Sequence, residues 1–269
     1  MKIKKNLSLL LITLLMIITL VGCCNNTSNN NEVFRIKFKN LVALKDLEKY
    51  KDKTVEAIGF LSPITAYDES FTYLMNLPFQ TCPYCNPSDT KITNTLAIFA
   101  KQGEKIKYTD AAVVVRGTLK LEDYTDEYGY QYNYRLVDVT ITPANSDEVG
   151  EKIALYNEIA DKNILSSIMD VLYSVDDNVF HDVYVETYGQ DYDRYAVDTT
   201  ALDTAISELE SMNKSDFKVL LDVAKSVKEI ATELNKAVES NNYDGLDKYK
   251  TEIEQDFQDI NTWMGSYEL

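Results

Sequence analysis

The hydrophobic period of this chain changes at Pro143, and that change limits the architectures open to it. Between Thr54 and Thr142 apolar residues gather in short runs, separated by glycine, proline and polar turns. From Asn145 onward they recur every three or four residues. The first pattern is that of strands and the second that of helices. A block of strands followed by a block of helices predicts an α+β fold.

Five strands are predicted. Thr54–Leu61 alternates and stops at Ser62-Pro63; Ser70–Met75, Thr95–Ala100, Ala111–Leu121 and Gly129–Thr142 follow. Ahead of them, Leu41, Leu44, Leu47 and Tyr50 mark a short helical face over 41–51. Gly59 and Gly117 fall inside strands, where a small closed barrel must bend sharply. The runs Lys53-Thr54-Val55, Gly59-Phe60-Leu61, Val113–Leu119 and Tyr134–Asp138 together resemble the OB-fold modules of exported bacterial proteins.

That resemblance implies a small five-stranded OB-like β-barrel. Its usual binding face lies on strands two and three, with the loops joining strands 1–2 and 4–5. Here those loops run near Ser62–Glu69 and Glu122–Gly129, and they carry Tyr67, Tyr124 and Tyr128. The fifth strand continues with Tyr130, Tyr132 and Tyr134. Residues 128, 130, 132 and 134 fall on one side of an extended strand, as a stacking platform for a sugar, peptide or partner protein would require. The plainer reading is that tyrosine suits a strand whose rings are half buried. Tyr67, Tyr124, Tyr128, Tyr130 and Tyr132 are the candidate ligand-binding residues.

The longest loop between strands holds Cys82-Pro83-Tyr84-Cys85, the same four residues as the glutaredoxin active site. In that family the pair caps a helix, whose amino end lowers the first thiol's pKa. Here Asn86-Pro87-Ser88-Asp89 follows, with no helical apolar stripe. Structural zinc wants four cysteine or histidine ligands, but with Cys23 set aside for the lipid anchor argued below, the chain offers beyond this pair only Cys24, at the lipid end, and His181. The expected state is a short disulfide between Cys82 and Cys85 that fixes the shape of the loop in an oxidising compartment.

The amino terminus gives the compartment. Lys2, Lys4 and Lys5 precede an apolar run from Leu7 to Leu20, too short for a membrane span and typical of a secretory signal. It ends in Leu20-Val21-Gly22-Cys23, which resembles the bacterial lipobox. The resemblance implies cleavage after residue 22, a diacylglycerol on the Cys23 sulfur and an acyl chain such as palmitate on the new amino terminus. Such chains hold a protein at a bilayer by ~0.8 kcal/mol per buried CH₂. Cys24 is either a free thiol or a second acylation site. Asn25 to Asn31 is rich in Asn, Ser and Thr and reads as a flexible tether.

In the helical half, Asn145 and Glu148 form a capping-box pattern. A long helix is expected through Ile153, Tyr156, Ala160, Ile164, Ile168, Leu172 and Val175, running on toward Gly189. Leu202, Ile206 and Leu209 mark a second helix. Phe217, Leu220, Ala224, Val227, Ala231, Leu234 and Val238 form a narrow seam of the coiled-coil type, packed on this chain or on a partner's helix. A fourth helix carries Leu246, Tyr249, Ile253, Phe257, Ile260 and Met264. These predict an antiparallel helical bundle.

Residues 32–145 hold 14 basic and 15 acidic side chains, whereas 146–269 hold 10 and 28. The formal net charge is −16, which leaves DNA and RNA poor candidates as partners. Asp176-Asp177 and Asp191 with Asp193 are acidic enough to raise calcium, but the EF-hand spacing is missing. Phosphate loops, nucleophile–histidine–acid orders and metal-ligand clusters do not occur, and no cofactor or metal is expected.

The organisation expected is therefore a signal over 1–22, a lipid-anchored tether over 23–32, an OB-like barrel over 33–144 and an acidic bundle over 145–269. The functional expectation is a non-catalytic binding or assembly module on the outer side of the cell membrane. It would be held there by Cys23 and would bind an envelope protein, peptide or glycan. The alternative is a thiol–disulfide oxidoreductase that uses Cys82 and Cys85.

Overall fold

The strand-like runs pair into a ring. The computed structural model describes residues 33–38, 43–79, 95–126, 129, 131–189 and 192–269. The strands are β1 (Phe34–Ile36), β2 (Thr54–Thr65), β3 (Phe71–Met75), β4 (Thr95–Ala100), β5 (Val113–Lys120), β6 (Tyr124–Thr125), β7 (Gln131–Tyr132) and β8 (Arg135–Pro143). The main sheet has the order β1-β2-β3-β4-β8-β5, and β2 also pairs with β5. Five strands thus close into a barrel, with β4 and β8 parallel and the remaining ring pairs antiparallel. This is an OB-like barrel followed by helices, an α+β fold.

Alternation sorts each strand between inside and outside. Val55, Ala57 and Leu61 of β2 point inward with Leu74, Leu96, Ile98, Val115 and Leu136. Leu47 joins them from between two 3-10 turns, Leu44–Asp46 and Glu48–Tyr50, which stand where a short helical face is expected. The outward residues form two patches. Ile58, Phe60, Ala112 and Val114 pack on the helices. Phe71, Tyr73, Met75, Ala97 and Phe99 form a separate aromatic cluster.

Two strand boundaries differ from the sequence reading. β2 continues through Pro63 to Thr65, with a break in register between Leu61 and Thr65 that accommodates the proline's missing donor. The strand expected over 129–142 is divided: β8 begins at Arg135, while Gln131 and Tyr132 pair with Thr125 and Tyr124 as a small hairpin.

The helices are α1 (Ser146–Ala160), α2 (Ile164–Val179), α3 (His181–Tyr188), α4 (Thr200–Met212), α5 (Lys218–Ser240) and α6 (Lys250–Gly265). At the start of α1, the Glu148 amide donates to Asn145 Oδ1 at 3.1 Å and the Asn145 amide to Glu148 Oε2 at 3.0 Å. That reciprocal pair is the expected capping box. The long helix expected from Ile153 is three helices. Asn163 takes a left-handed φ of 53°, which asparagine tolerates better than most residues, and α2 ends at Val179 with Phe180 as its cap. The seam on α5 packs against α2, α4 and α6. Leu220, Val227 and Leu234 are fully buried there, so the seam is internal core.

Residues Phe34–Leu269 form one compact unit. Barrel and bundle share apolar contacts and hydrogen bonds donated by backbone amides. The Ala112 amide donates to Asn157 Oδ1 at 3.0 Å, and the Leu269 amide to the Asn76 carbonyl at 3.0 Å. Among the described residues no helix is long and apolar enough to cross a membrane.

Candidate functional site: an aromatic face on the barrel

Strands β3 and β4 are the second and third strands of the ring, and their outward side chains meet across the sheet. Phe71 lies opposite Phe99 in register, and the two rings stack with centroids 5.2 Å apart. Tyr73 stands edge-on to Phe71 at 6.0 Å. The β6–β7 hairpin folds over this face. Tyr132 meets Phe99 edge-on at 5.3 Å, and Tyr124 meets the same ring edge-on at 5.8 Å. Edge-to-face and offset geometries are those favoured by the ring quadrupoles.

Polar groups fix the hairpin. The Tyr132 and Tyr73 hydroxyls lie 3.3 Å apart, and Tyr132 donates to Asp126 Oδ2 at 3.1 Å. Arg135, the first residue of β8, places its guanidinium carbon 3.8 Å from the Tyr124 ring centroid. Its Nη2 donates to Glu122 Oε1 at 3.0 Å, and its Nη1 is buried without a hydrogen-bond partner among the described residues. The residue is only 7% exposed. A cation desolvated against an aromatic face is worth up to ~2 kcal/mol, so this stack holds the base of the hairpin.

The predicted tyrosines therefore have different surroundings. Tyr67 is 99% exposed, on the loop after β2, next to Ala66 of the aromatic cluster. Tyr124 is 39% exposed, at the edge of the face. Tyr132 is buried and bonded, and the Tyr134 hydroxyl donates to the Thr95 carbonyl at 3.3 Å. Tyr128 and Tyr130 lie outside the described residues, as do Cys23, Cys82 and Cys85. Phe71, Tyr73, Phe99 and Arg135 were not among the candidates. The signal for the two rings of β3 was present: Phe71 and Tyr73 alternate with Thr72 and Leu74, so they share the face opposite to the barrel interior.

The other candidate groups are committed elsewhere. His181 has Nδ1 3.0 Å from Asp182 Oδ1 and Nε2 2.5 Å from the Tyr192 carbonyl, so both nitrogens are engaged. Arg194 joins Asp182 at 2.8 Å, and these partners hold the Asp182 carboxyl below its ordinary range. Asp176 accepts the Tyr184 hydroxyl at 2.7 Å. Burial raises the Asp176 carboxyl, and burial with the Asp176 hydrogen bond raises the Tyr184 phenol. Among the described residues no three His, Cys, Asp or Glu side chains converge as a metal site would need.

Comparison with known proteins adds little to this geometry. No family model matches the chain, and no curated protein matches it. Among solved structures, a DUF3299 family protein from Pseudomonas aeruginosa PAO1 is similar over 42% of this chain and 97% of its own, at 12% identity and a TM-score of 0.30.

Proposed function

We propose that this chain is an extracytoplasmic lipoprotein, held at the cell membrane through Cys23, that works as a non-catalytic binding or assembly module of the cell envelope. Its contact surface is the rim of the aromatic face, where Tyr67 and Tyr124 stand exposed beside rings locked by packing. The carrying observation is the Tyr124–Arg135 stack, which holds one exposed aromatic in a fixed orientation on the side of an OB-like barrel where ligands usually bind. A rigid aromatic loses little entropy when a peptide or sugar ring stacks on it.

Two measurements test the reading. A photo-crosslinking residue placed at position 67 or 124 in the full chain in cells is expected to capture a discrete envelope component. The same residue at exposed position 188, on α3, serves as the control. Equal capture at all three positions would reject the aromatic rim as the contact surface. Palmitate labelling that survives Cys23→Ser would reject the anchor. A mixed disulfide trapped on Cys82 by Cys85→Ser would replace the binding module with a thiol–disulfide exchanger.

A further inference from the structure

Residues 33–53 carry seven basic and three acidic side chains, although 54–269 carry 17 and 39. The structure gathers part of that basic excess around one shallow cleft of about 430 Å³, lined by Arg35, Lys37, Lys45, Lys49 and Tyr50 with Asp46. The walls are fixed. Phe34 and Tyr50 pack with ring centroids 5.5 Å apart, and Leu47, between the two 3-10 turns, is fully buried in the barrel. Arg35 is neutralised by Glu56 and by Glu148 at 3.1 Å. Asp46 accepts the Ala43 amide at 2.9 Å. Among the described residues Lys37, Lys45 and Lys49 have no ion pair, and all three are exposed. Leu44, an exposed apolar residue, sits beside Lys45.

We propose that this cleft and its rim are a docking surface for anionic phospholipid headgroups of the membrane that holds the anchor. The inference rests on the lipoprotein reading above and adds an orientation to it. Charge complementarity selects the occupant: phosphodiester anions attract the unpaired lysines, whereas the acidic remainder of the chain is repelled by the same surface. Chain length agrees. The ten residues 23–32 span at most about 35 Å, so the cleft, which starts within a few residues of the tether, stays within reach of the bilayer. Surface attraction decays over a Debye length of about 8–10 Å, so it acts on the face that touches the membrane and not on the far side of the bundle. Docked in this way, Leu44 enters the headgroup layer.

The full chain is reconstituted into vesicles of phosphatidylcholine, alone or with a minority of phosphatidylglycerol. Lysines are then acetylated briefly and read by mass spectrometry. Lys37, Lys45 and Lys49 are expected to react about three- to tenfold more slowly on the anionic vesicles, and high salt should abolish the difference. Lys218 and Lys225 on α5 should react equally on both. Equal labelling at the cleft on both vesicles overturns the docking surface. The double variant Lys45→Glu and Lys49→Glu changes exposed side chains only, and it should erase the protection of Lys37; protection that persists also overturns the proposal. Flotation with pure phosphatidylcholine vesicles in high salt reports the anchor separately. Flotation without protection removes the docking surface and leaves the anchor, and protection without that flotation does the reverse.

Discussion

Phe60 of β2 and Tyr156 of α1 meet edge to face, with ring centroids 5.2 Å apart, across the seam between barrel and bundle. Tyr156 is fully buried and also packs on Trp263 and Tyr267 of the carboxyl-terminal segment. One ring therefore ties the barrel, the first helix and the end of the chain together. Tyr156→Ala should cost about 3–5 kcal/mol, and barrel and helices should unfold in one transition. Chemical denaturation followed by both near- and far-ultraviolet dichroism checks this; two separated transitions in the wild-type chain would contradict it.

Among the described residues the Tyr156 hydroxyl has no hydrogen-bond partner in its buried site, and burial raises its pKa well above the ordinary phenol value. An unsatisfied buried hydroxyl costs about 1–3 kcal/mol. Tyr156→Phe keeps the ring contacts and removes that group. It should leave the protein at least as stable as before, with a gain of up to ~1 kcal/mol. A measured loss above that size would mean that the hydroxyl is hydrogen-bonded in solution.

Gly59 and Gly117 each face a neighbouring strand at close range. A Cβ on Gly59 would stand 2.6 Å from Leu74 Cγ and 2.7 Å from the Met75 carbonyl oxygen; on Gly117 it would stand 2.8 Å from Val139 Cγ1. Alanine at either position should destabilise the barrel by about 1–3 kcal/mol. Gly265, in the last turn of α6, has nothing within 4 Å of that position, and Gly265→Ala should stabilise by up to ~1 kcal/mol. Thermal melts of the three variants give the signs directly.

The same glycines mark how far the chain could be read unaided. Interruptions at Gly59 and Gly117 suggested a curved sheet; alternation placed β2, whereas β4 and β5 were placed by short apolar runs, because their outward residues Ala97 and Val114 are covered as well. The β6–β7 hairpin escaped notice because two-residue strands are too short to display a period. Asp161 to Asn163 escaped for the opposite reason. Tyr156, Ala160, Ile164 and Ile168 keep a step of four across the turn, so the apolar stripe hides the break in the backbone. At the site, Tyr67 and Tyr124 were legible as loop aromatics. Arg135 was not, since nothing local tells a guanidinium laid on a ring from one in water.

Asp256 of α6 is 5% exposed and faces α5, where Ser226 Oγ donates to its Oδ2 at 2.7 Å. Burial pushes its carboxyl up to about 6; the Ser226 bond opposes that rise, and nearby Glu252 and Asp259 add to it. A raised folded-state value means that the native protein holds this proton more tightly than the unfolded chain does. The stability it contributes is full below pH about 4 and is lost as pH rises through about 6. Asp256→Asn should therefore flatten the decline between those values and gain about 1–3 kcal/mol at pH 7. Urea titrations of both proteins at several pH values test it, and parallel profiles would refute it.

Two of the partners of Arg135 differ in exposure. Tyr124 lies under the guanidinium, while Glu122, which accepts from Nη2, is more than half exposed. Water screens the ion pair, so Glu122→Gln should cost at most ~0.5 kcal/mol. Tyr124→Ala removes the stacked face and should cost about 1–2 kcal/mol. A double-mutant cycle with Arg135→Met should give a coupling to Tyr124 that exceeds the coupling to Glu122. The reverse order would make the carboxylate, not the ring, the group that holds the hairpin. It would also leave the exposed edge of Tyr124 without the rigidity that the binding role requires.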